Sequence, residues 1–239
     1  MENYILETKN LSKYYGRNLA VNKVSLQIPS GSIYGLLGPN GAGKTTTLKM
    51  LTGLLRPSDG EIRVFGETWR RKHLERMGPL IEAPALYGNL TAVENLEVHR
   101  RLLGVPTQRI SEVLDMVDLK NTGKKLASQF SLGMKQRLGI AIALLGSPEL
   151  LILDEPTNGL DPIGIQELLE LVISFSKQGI TVILSSHILS QVAQVADHVG
   201  IISAGELKYQ GPLKRGEDLE SLFMQVVRGA KPLNGGDKS

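Results

Sequence analysis

The sequence predicts an α/β fold in which a mostly parallel sheet carries helices on its faces. Short apolar runs at residues 32–37, 149–153, 180–184 and 199–202 alternate with helical patterns, and this alternation is typical of a parallel sheet. A glycine-rich segment, residues 38–45, follows the first of these runs directly and precedes a helical pattern. In such sheets, ligands bind at the carboxyl ends of the strands, so we expect a site there.

Composition limits the classes of protein that fit. The 239 residues, 41% of them hydrophobic, suit one large domain or one domain with an inserted lobe. The net charge of +3 is too small, and its charges too interspersed, to favour nucleic-acid binding. The chain has no cysteine, which excludes disulfides and cysteine metal sites. The basic residues 70–72 are expected to form a solvated surface, or to lie near an anionic membrane.

No segment has the character of a signal peptide or a membrane span. Residues 1–4 lack basic and apolar signal regions, and the longest apolar stretch, 138–153, is interrupted by Ser147, Pro148 and Glu149. We therefore expect a soluble chain whose membrane role, if any, requires a partner.

The N-terminal part is expected to be an antiparallel β portion. Residues 4–9 and 24–28 alternate in polarity as strands do, and a turn at 29–31 leads into the buried run. Beyond the glycine-rich segment and its helix, a strand is expected at 61–65, a short helix at 70–77 and a strand at 78–82.

The middle of the chain is predicted to be a helical lobe over about residues 84–147, inserted into the α/β core. Thr91 and Glu94 form a capping box that opens its first helix, which Gly104 closes. Ile110 starts an amphipathic second helix, and Ser131 can cap a third. The 110 positions between Lys44 and Asp154 exceed what one βαβ unit requires, which favours an insertion.

The remaining chain returns to the α/β pattern. Asp161 caps a helix that Pro162 opens, residues 188–196 form another helix, and 206–210 form a strand. A last short helix is expected around 219–227. We divide the chain into a nucleotide-binding domain over 1–222 and a C-terminal tail over 223–239.

The glycine-rich segment reads G-x-x-x-x-G-K-T, the pattern of a phosphate-binding loop. Glycines let successive backbone N–H groups point at one anion. Lys44 adds a positive charge for the β- and γ-phosphates, and Thr45 supplies a hydroxyl for Mg²⁺. The expected nucleotide contacts are Gly38, Pro39, Asn40, Gly41, Ala42, Gly43, Lys44, Thr45 and Thr46.

Two carboxylates, Asp154 and Glu155, end a buried apolar strand. A buried charge requires a partner, and Mg²⁺ bound to ATP is the one we expect. Asp154 would hold the metal and Glu155 would polarise the water that attacks the γ-phosphate.

Residues 130–137, FSLGMKQR, and residues 150–161 together resemble the ATP-binding cassette (ABC) family, in its order and spacing. The resemblance covers nearly the whole chain and implies a composite site. Ser131 and Gly133 of one subunit would close over the γ-phosphate held by the other, since a capped helix N-terminus attracts anions. Leu132 and Met134 replace the glycine and glutamine that are commonest in the family.

Three further residues are carried over from the family by position. Tyr15 matches the aromatic residue that stacks on adenine, with Tyr14 as the alternative. Asp161 matches an aspartate that communicates across the dimer. His187 matches a histidine that contacts the γ-phosphate and, with Glu155 and Lys44, completes the expected catalytic set.

Glu82 stands where most ABC proteins have a glutamine that contacts Mg²⁺ and water. Together with residues 80–91 and 94–100, it resembles the ATPase subunits of lantibiotic-immunity exporters. The metal ligands expected are therefore Thr45, Glu82 and Asp154.

The sequence is accordingly predicted to be the ATPase subunit of an exporter, at the cytoplasmic face of a bacterial membrane, acting on a lantibiotic or similar peptide. Its expected partners are separate transmembrane permease subunits and a second copy of itself, with ATP at the interface. A general drug or peptide exporter is the alternative. A soluble cassette acting on ribosomes or DNA would usually have two cassettes or coiled coils, and intact Asp154, Glu155 and His187 argue against a non-enzymatic scaffold.

Overall fold

The computed structural model describes residues 3–214 and 218–228, which form two β-sheets and a helical lobe. The predicted α/β class is confirmed. The strands in chain order are β1 (Tyr4–Tyr15), β2 (Asn18–Val24), β3 (Gln27–Pro29), β4 (Ile33–Leu37), β5 (Asp59–Val64), β6 (Glu67–Thr68), β7 (Met77–Leu80), β8 (Leu150–Asp154), β9 (Thr181–Ser186), β10 (His198–Ser203) and β11 (Glu206–Pro212).

The helices pack against the larger sheet or form the lobe. They are α1 (Lys44–Leu51), α2 (Ala92–Leu103), α3 (Gln108–Met116), α4 (Leu132–Leu144), α5 (Pro162–Lys177), α6 (Leu189–Val195) and α7 (Leu219–Arg228), with 3-10 turns at Arg71–Arg76, Lys120–Thr122 and Ala127–Gln129.

The larger sheet has six strands in the order β11, β10, β4, β9, β8, β7. All neighbours are parallel except β11, which pairs antiparallel with β10 at the edge. Every residue of β4, β8 and β9 is buried, as expected for strands covered on both faces. These three fully buried strands therefore end at one edge of the sheet.

The smaller sheet is antiparallel, in the order β2, β1, β5, β6, with β3 also paired to β1. The single strand predicted over 24–28 is wrong, because β2 ends at Val24 and β3 begins at Gln27. The Thr8 hydroxyl explains the break. It donates to the carbonyl of Val24 at 2.9 Å and accepts from the N–H of Leu26 at 2.8 Å, so a side chain replaces strand pairing there.

The three helices predicted for residues 84–147 are α2, α3 and α4. Thr91 Oγ1 accepts from the Glu94 N–H at 3.2 Å, and Glu94 accepts from the Thr91 N–H at 2.8 Å, which completes the predicted capping box. Gly104 ends α2 with φ 69°, a conformation that glycine adopts without strain.

The lobe and the sheet share one hydrophobic core. A single buried cluster joins Leu96 of α2 and Leu114 of α3 to Leu151 of β8. Helix α4 lies against β7 so closely that a Cβ on Gly139 would come within 3.1 Å of Leu80 Cδ1. The exact limits of an inserted lobe stay a prediction, since the packing is continuous.

Helix α7 runs across the boundary that we placed between residues 222 and 223. Its apolar residues Leu222, Phe223 and Val226 pack against a cluster that contains Val192 of α6. The tail residues 229–239 lie outside the described residues. Among the helices described, none is long and apolar enough to cross a membrane.

Candidate nucleotide site

Three neighbouring strands carry the predicted catalytic residues to one edge of the sheet. Strand β4 leads into Gly38, β8 ends at Asp154, and β9 is followed by His187. Because β4 pairs with β9 and β9 pairs with β8, the glycine-rich loop, the carboxylates and the histidine lie at the same edge of the sheet.

The glycine-rich loop encloses a cavity of about 200 Å³ that leads to the start of α1. Gly43 has φ 105° and Gly41 φ 79°, a backbone that side-chain-bearing residues rarely adopt. At Gly38 an added Cβ would lie 2.2 Å from the carbonyl oxygen of Ile202. The described residues that line the cavity are Ala20, Asn40, Gly41, Ala42, Gly43, Lys44, Thr45, Thr46 and Glu155.

Lys44 is 5% exposed and links the loop to Glu155. Its Nζ donates to the carbonyl of Gly38 at 2.7 Å and lies 3.1 Å from Glu155 Oε1. A buried ammonium group requires acceptors, and these supply them. The cation is therefore held among the residues that line the phosphate cavity.

Glu155 lies between Lys44 and His187. Its second carboxylate oxygen, Oε2, is 2.9 Å from His187 Nδ1. An ionised carboxylate only accepts hydrogen bonds, so His187 must donate from Nδ1, which leaves Nε2 directed elsewhere. Glu155 has φ 48°, an uncommon value for a residue with a side chain and one that concentrates at functional sites.

Ser185, in β9, was not anticipated from the sequence. Its hydroxyl donates to Asp154 Oδ1 at 2.7 Å and accepts from the Glu155 N–H at 2.9 Å. Ser185 is fully buried and Asp154 is 4% exposed. One serine thus fixes both carboxylate residues, and no local pattern could have indicated it because the contact spans 31 positions.

Glu82 follows β7 and contacts Lys49 rather than either carboxylate residue. The distance from Glu82 Oε1 to Lys49 Nζ is 2.6 Å. This hydrogen bond is the main cause that raises the pKa of Lys49. Within the described part of the chain, no three His, Asp or Glu side chains are grouped so as to hold a metal ion on their own. The role of Glu82 at Mg²⁺ stays a prediction.

The two candidate adenine-stacking residues lie at the end of β1. Tyr14 is 51% exposed and Tyr15 48% exposed. Lys13 Nζ lies 5.7 Å from the centre of the Tyr15 ring, a cation–π contact. Both rings are accessible to a planar ligand.

Ser131 and Gly133 lie in a second cavity, of about 380 Å³, which shares no lining residue with the phosphate cavity among the described residues. Ser131 caps α4, because its hydroxyl accepts from the Met134 N–H at 3.2 Å. Asp161 lines the same cavity and caps α5 through the Gly164 N–H at 2.7 Å. The structure therefore does not bring Ser131 to the phosphate loop of its own chain.

Leu132, which departs from the family pattern, packs on the loop before α5. A Cβ on Gly159 would lie 2.9 Å from Leu132 Cδ2, and Gly159 has φ 76°. Leu132 remains 49% exposed. The bulky residue thus contacts the segment that leads to Asp161.

Comparison with known proteins identifies the family of the chain. The ABC transporter family model matches residues 21–158. The lantibiotic transport ATP-binding protein SrtF of Streptococcus pyogenes is 50% identical, over 93% of this chain and 97% of that protein. The bacitracin transport ATP-binding protein BcrA of Bacillus licheniformis is 51% identical, over 87% of this chain and 70% of that protein.

A dimeric structure of a bacterial ABC transporter cassette is similar in fold. It has a TM-score of 0.79 and 25% sequence identity, and the match covers 87% of this chain and 99% of that one. The chain therefore belongs to the ABC transporter family, as an ATP-binding subunit with ATPase activity.

Proposed function

We propose that this chain powers an exporter that removes a lantibiotic or a similar antimicrobial peptide through separate transmembrane subunits at the cytoplasmic face of the membrane. The observation that carries the proposal is the 50% identity with a lantibiotic transport protein over almost the full length of both chains. A second candidate is transport of bacitracin or another drug, which the comparable identity with BcrA favours.

In the proposed hydrolytic step, Lys44 binds the β- and γ-phosphates and Glu155 takes the proton of the attacking water. The 3.1 Å contact between them supports a switch, since phosphate oxygens would compete with Glu155 for the same ammonium group. Binding of ATP would then release one carboxylate oxygen for the water. His187 would keep the other oxygen oriented from 2.9 Å.

His187 is proposed to contact the γ-phosphate through Nε2. Because Nδ1 donates to Glu155, the neutral ring has an acceptor at Nε2, and only the imidazolium form can donate to a phosphate oxygen.

The oxygen-rich residues fit Mg²⁺, the metal that we propose accompanies ATP. Thr45 offers a hydroxyl and Asp154 a carboxylate that Ser185 holds in one orientation, and hard oxygen ligands are those that Mg²⁺ prefers. Glu82 is the proposed third group. When bound, the metal would neutralise charge on the β- and γ-phosphates.

Two copies of the chain are proposed to enclose ATP. The cavity of Ser131 and Gly133 is separate from the phosphate loop of the same chain, so a second subunit is needed to supply these groups. The capped N-terminus of α4 would face the γ-phosphate of the partner, and Asp161 would lie at the same interface. Tyr15 would stack on the adenine.

The enzymatic part of the proposal is tested by steady-state ATP hydrolysis at saturating Mg-ATP. We expect Lys44→Ala and Glu155→Gln to lose on the order of 10²–10⁴ in rate, the range assigned to a positioned base or charge. Glu82→Gln should stay within about tenfold of wild type, about 1.4 kcal/mol in barrier. If Glu82→Gln were slower than Glu155→Gln, the roles assigned to the two glutamates would be reversed.

The substrate is tested in cells. Replacing the chromosomal copy with Glu155→Gln should sensitise the cells to lantibiotics, while Lys120→Gln, a surface control, should not. Sensitivity to bacitracin alone would favour the second candidate, and unchanged sensitivity to every antimicrobial peptide would contradict the proposed transport role.

A further inference from the structure

The ion pair between Lys49 and Glu82 joins helix α1 to the segment that follows β7. Lys49 lies in the last turn of α1, the helix that begins at Lys44. Glu82 lies two residues beyond the end of β7. The 2.6 Å contact joins Lys49 Nζ to Glu82 Oε1, with the two side chains 30% and 63% exposed.

Both partners are presented by constrained backbones. The carbonyl of Lys49 accepts from the Leu55 N–H at 3.0 Å and from Thr52 Oγ1 at 3.2 Å, so the end of α1 is fixed. Glu82 has φ 62°, in the left-handed region that favours glycine. A residue with a side chain persists there only when its surroundings hold it, and the neighbouring Ile81 packs against the core.

The position of Lys49 on α1 also relates the pair to the phosphate site. The hydrogen bond with Glu82 is the main cause of the raised pKa of Lys49, and the negative charge of Asp154 adds to it. The ammonium group that holds Glu82 therefore lies on the helix that begins with the phosphate-binding lysine, Lys44.

We propose that Lys49 is a positioning residue that competes with Mg²⁺ for the carboxylate of Glu82. The inference rests on the proposed role of Glu82 as a metal ligand. While Lys49 holds Oε1, that oxygen cannot coordinate a metal, so Mg²⁺ must displace the ammonium group. Glutamine has no net charge and would bind the ammonium group more weakly, so a glutamate at position 82 makes the competition effective.

The competition predicts how removal of Lys49 affects metal binding. Freed from its ammonium partner, Glu82 should bind Mg²⁺ more tightly in Lys49→Gln. A half-exposed pair contributes up to about 1 kcal/mol, which corresponds to about fivefold in affinity. We therefore expect a two- to fivefold gain, about the range for such pairs, and Lys49→Arg should resemble wild type.

The experiment measures binding of a fluorescent, non-hydrolysable ATP analogue, at saturating Mg²⁺ and again in EDTA. The dissociation constant in EDTA, divided by the dissociation constant at saturating Mg²⁺, gives the gain in affinity for the analogue that is linked to Mg²⁺. It is compared in wild type, Lys49→Gln, Glu82→Gln and the double variant. The control is Lys120→Gln, which removes the lysine of another 2.7 Å surface pair.

The gain should rise in Lys49→Gln but not when the same change is made in the Glu82→Gln background. If Lys49→Gln raised the Mg²⁺-linked gain equally in the wild-type and Glu82→Gln backgrounds, Lys49 would act on the metal through its charge and not through Glu82. If it raised the gain in neither background, Lys49 would have no effect on metal binding. Both results would overturn the inference.

Asp154→Asn separates this inference from the proposed function. If Asp154→Asn abolishes the Mg²⁺-linked gain while Lys49→Gln leaves it at the wild-type value, only the competition is wrong. If Asp154→Asn retains the whole gain, the metal assignment itself fails, and the inference fails with it.

Discussion

Ser185 provides the sharpest test of how the two catalytic carboxylates are held. Ser185→Ala removes a hydroxyl that donates to Asp154 Oδ1 at 2.7 Å and accepts from the Glu155 N–H at 2.9 Å. Hydrogen bonds to charged groups contribute about 1.5–3 kcal/mol, and leaving a buried backbone N–H unpaired costs about 1–3 kcal/mol. The free energy of unfolding should therefore fall by about 2.5–6 kcal/mol, since both losses occur together.

The lower half of that range is expected, because Glu155 is 20% exposed and water can reach its neighbourhood. Turnover should fall as well. A displacement of about 1 Å at a catalytic group can cost about 10²-fold in rate, and Ser185 orients both the proposed metal ligand and the proposed base.

Urea unfolding and steady-state ATPase rates measure the two effects. The matched control is Thr181→Val at the other end of β9, where the buried hydroxyl accepts from the Gly31 N–H at 2.8 Å. It should lose about 1–3 kcal/mol of stability and keep its turnover per folded molecule. If Ser185→Ala kept wild-type turnover and stability, the reasoning about the carboxylates would be refuted.

Two other substitutions test local geometry. Gly159→Ala should lower the free energy of unfolding by about 1–2 kcal/mol, because residue 159 has φ 76°. It should also displace Leu132 and, through the neighbouring Ser131, lower the ATPase rate. Adding Leu132→Gly should then restore part of that rate, and no restoration would show that the contact is irrelevant. Thr91→Ala removes the cap of α2 and should cost about 1 kcal/mol by urea unfolding, whereas an unchanged midpoint would mean that the capping box with Glu94 contributes nothing.

The parts of the fold that could be predicted are those that local sequence determines. The glycine pattern before Lys44 identifies the phosphate loop because only that backbone requires those residues. The Thr91–Glu94 box marks the start of α2 for a similar reason, since both hydrogen bonds form within four positions.

The contacts that escaped prediction join residues that are distant in the chain. Ser185 reaches Asp154, Lys49 reaches Glu82, and Thr8 interrupts the strand expected over 24–28. The hydrophobic periodicity of a helix or strand predicts which face of that element a side chain lies on. It does not predict which residue from elsewhere in the chain contacts that face. These partners depend on strand order, which the tertiary fold determines.

The most direct test of the proposed mechanism is the association state of Glu155→Gln. Loss of the base should stall hydrolysis while leaving Lys44 and Ser131 able to bind the same ATP from opposite subunits. Light scattering should therefore detect a monomer without nucleotide and a dimer with Mg-ATP, at tens of micromolar protein, about the scale at which weak interfaces associate. A monomer that persisted with Mg-ATP would contradict the composite site.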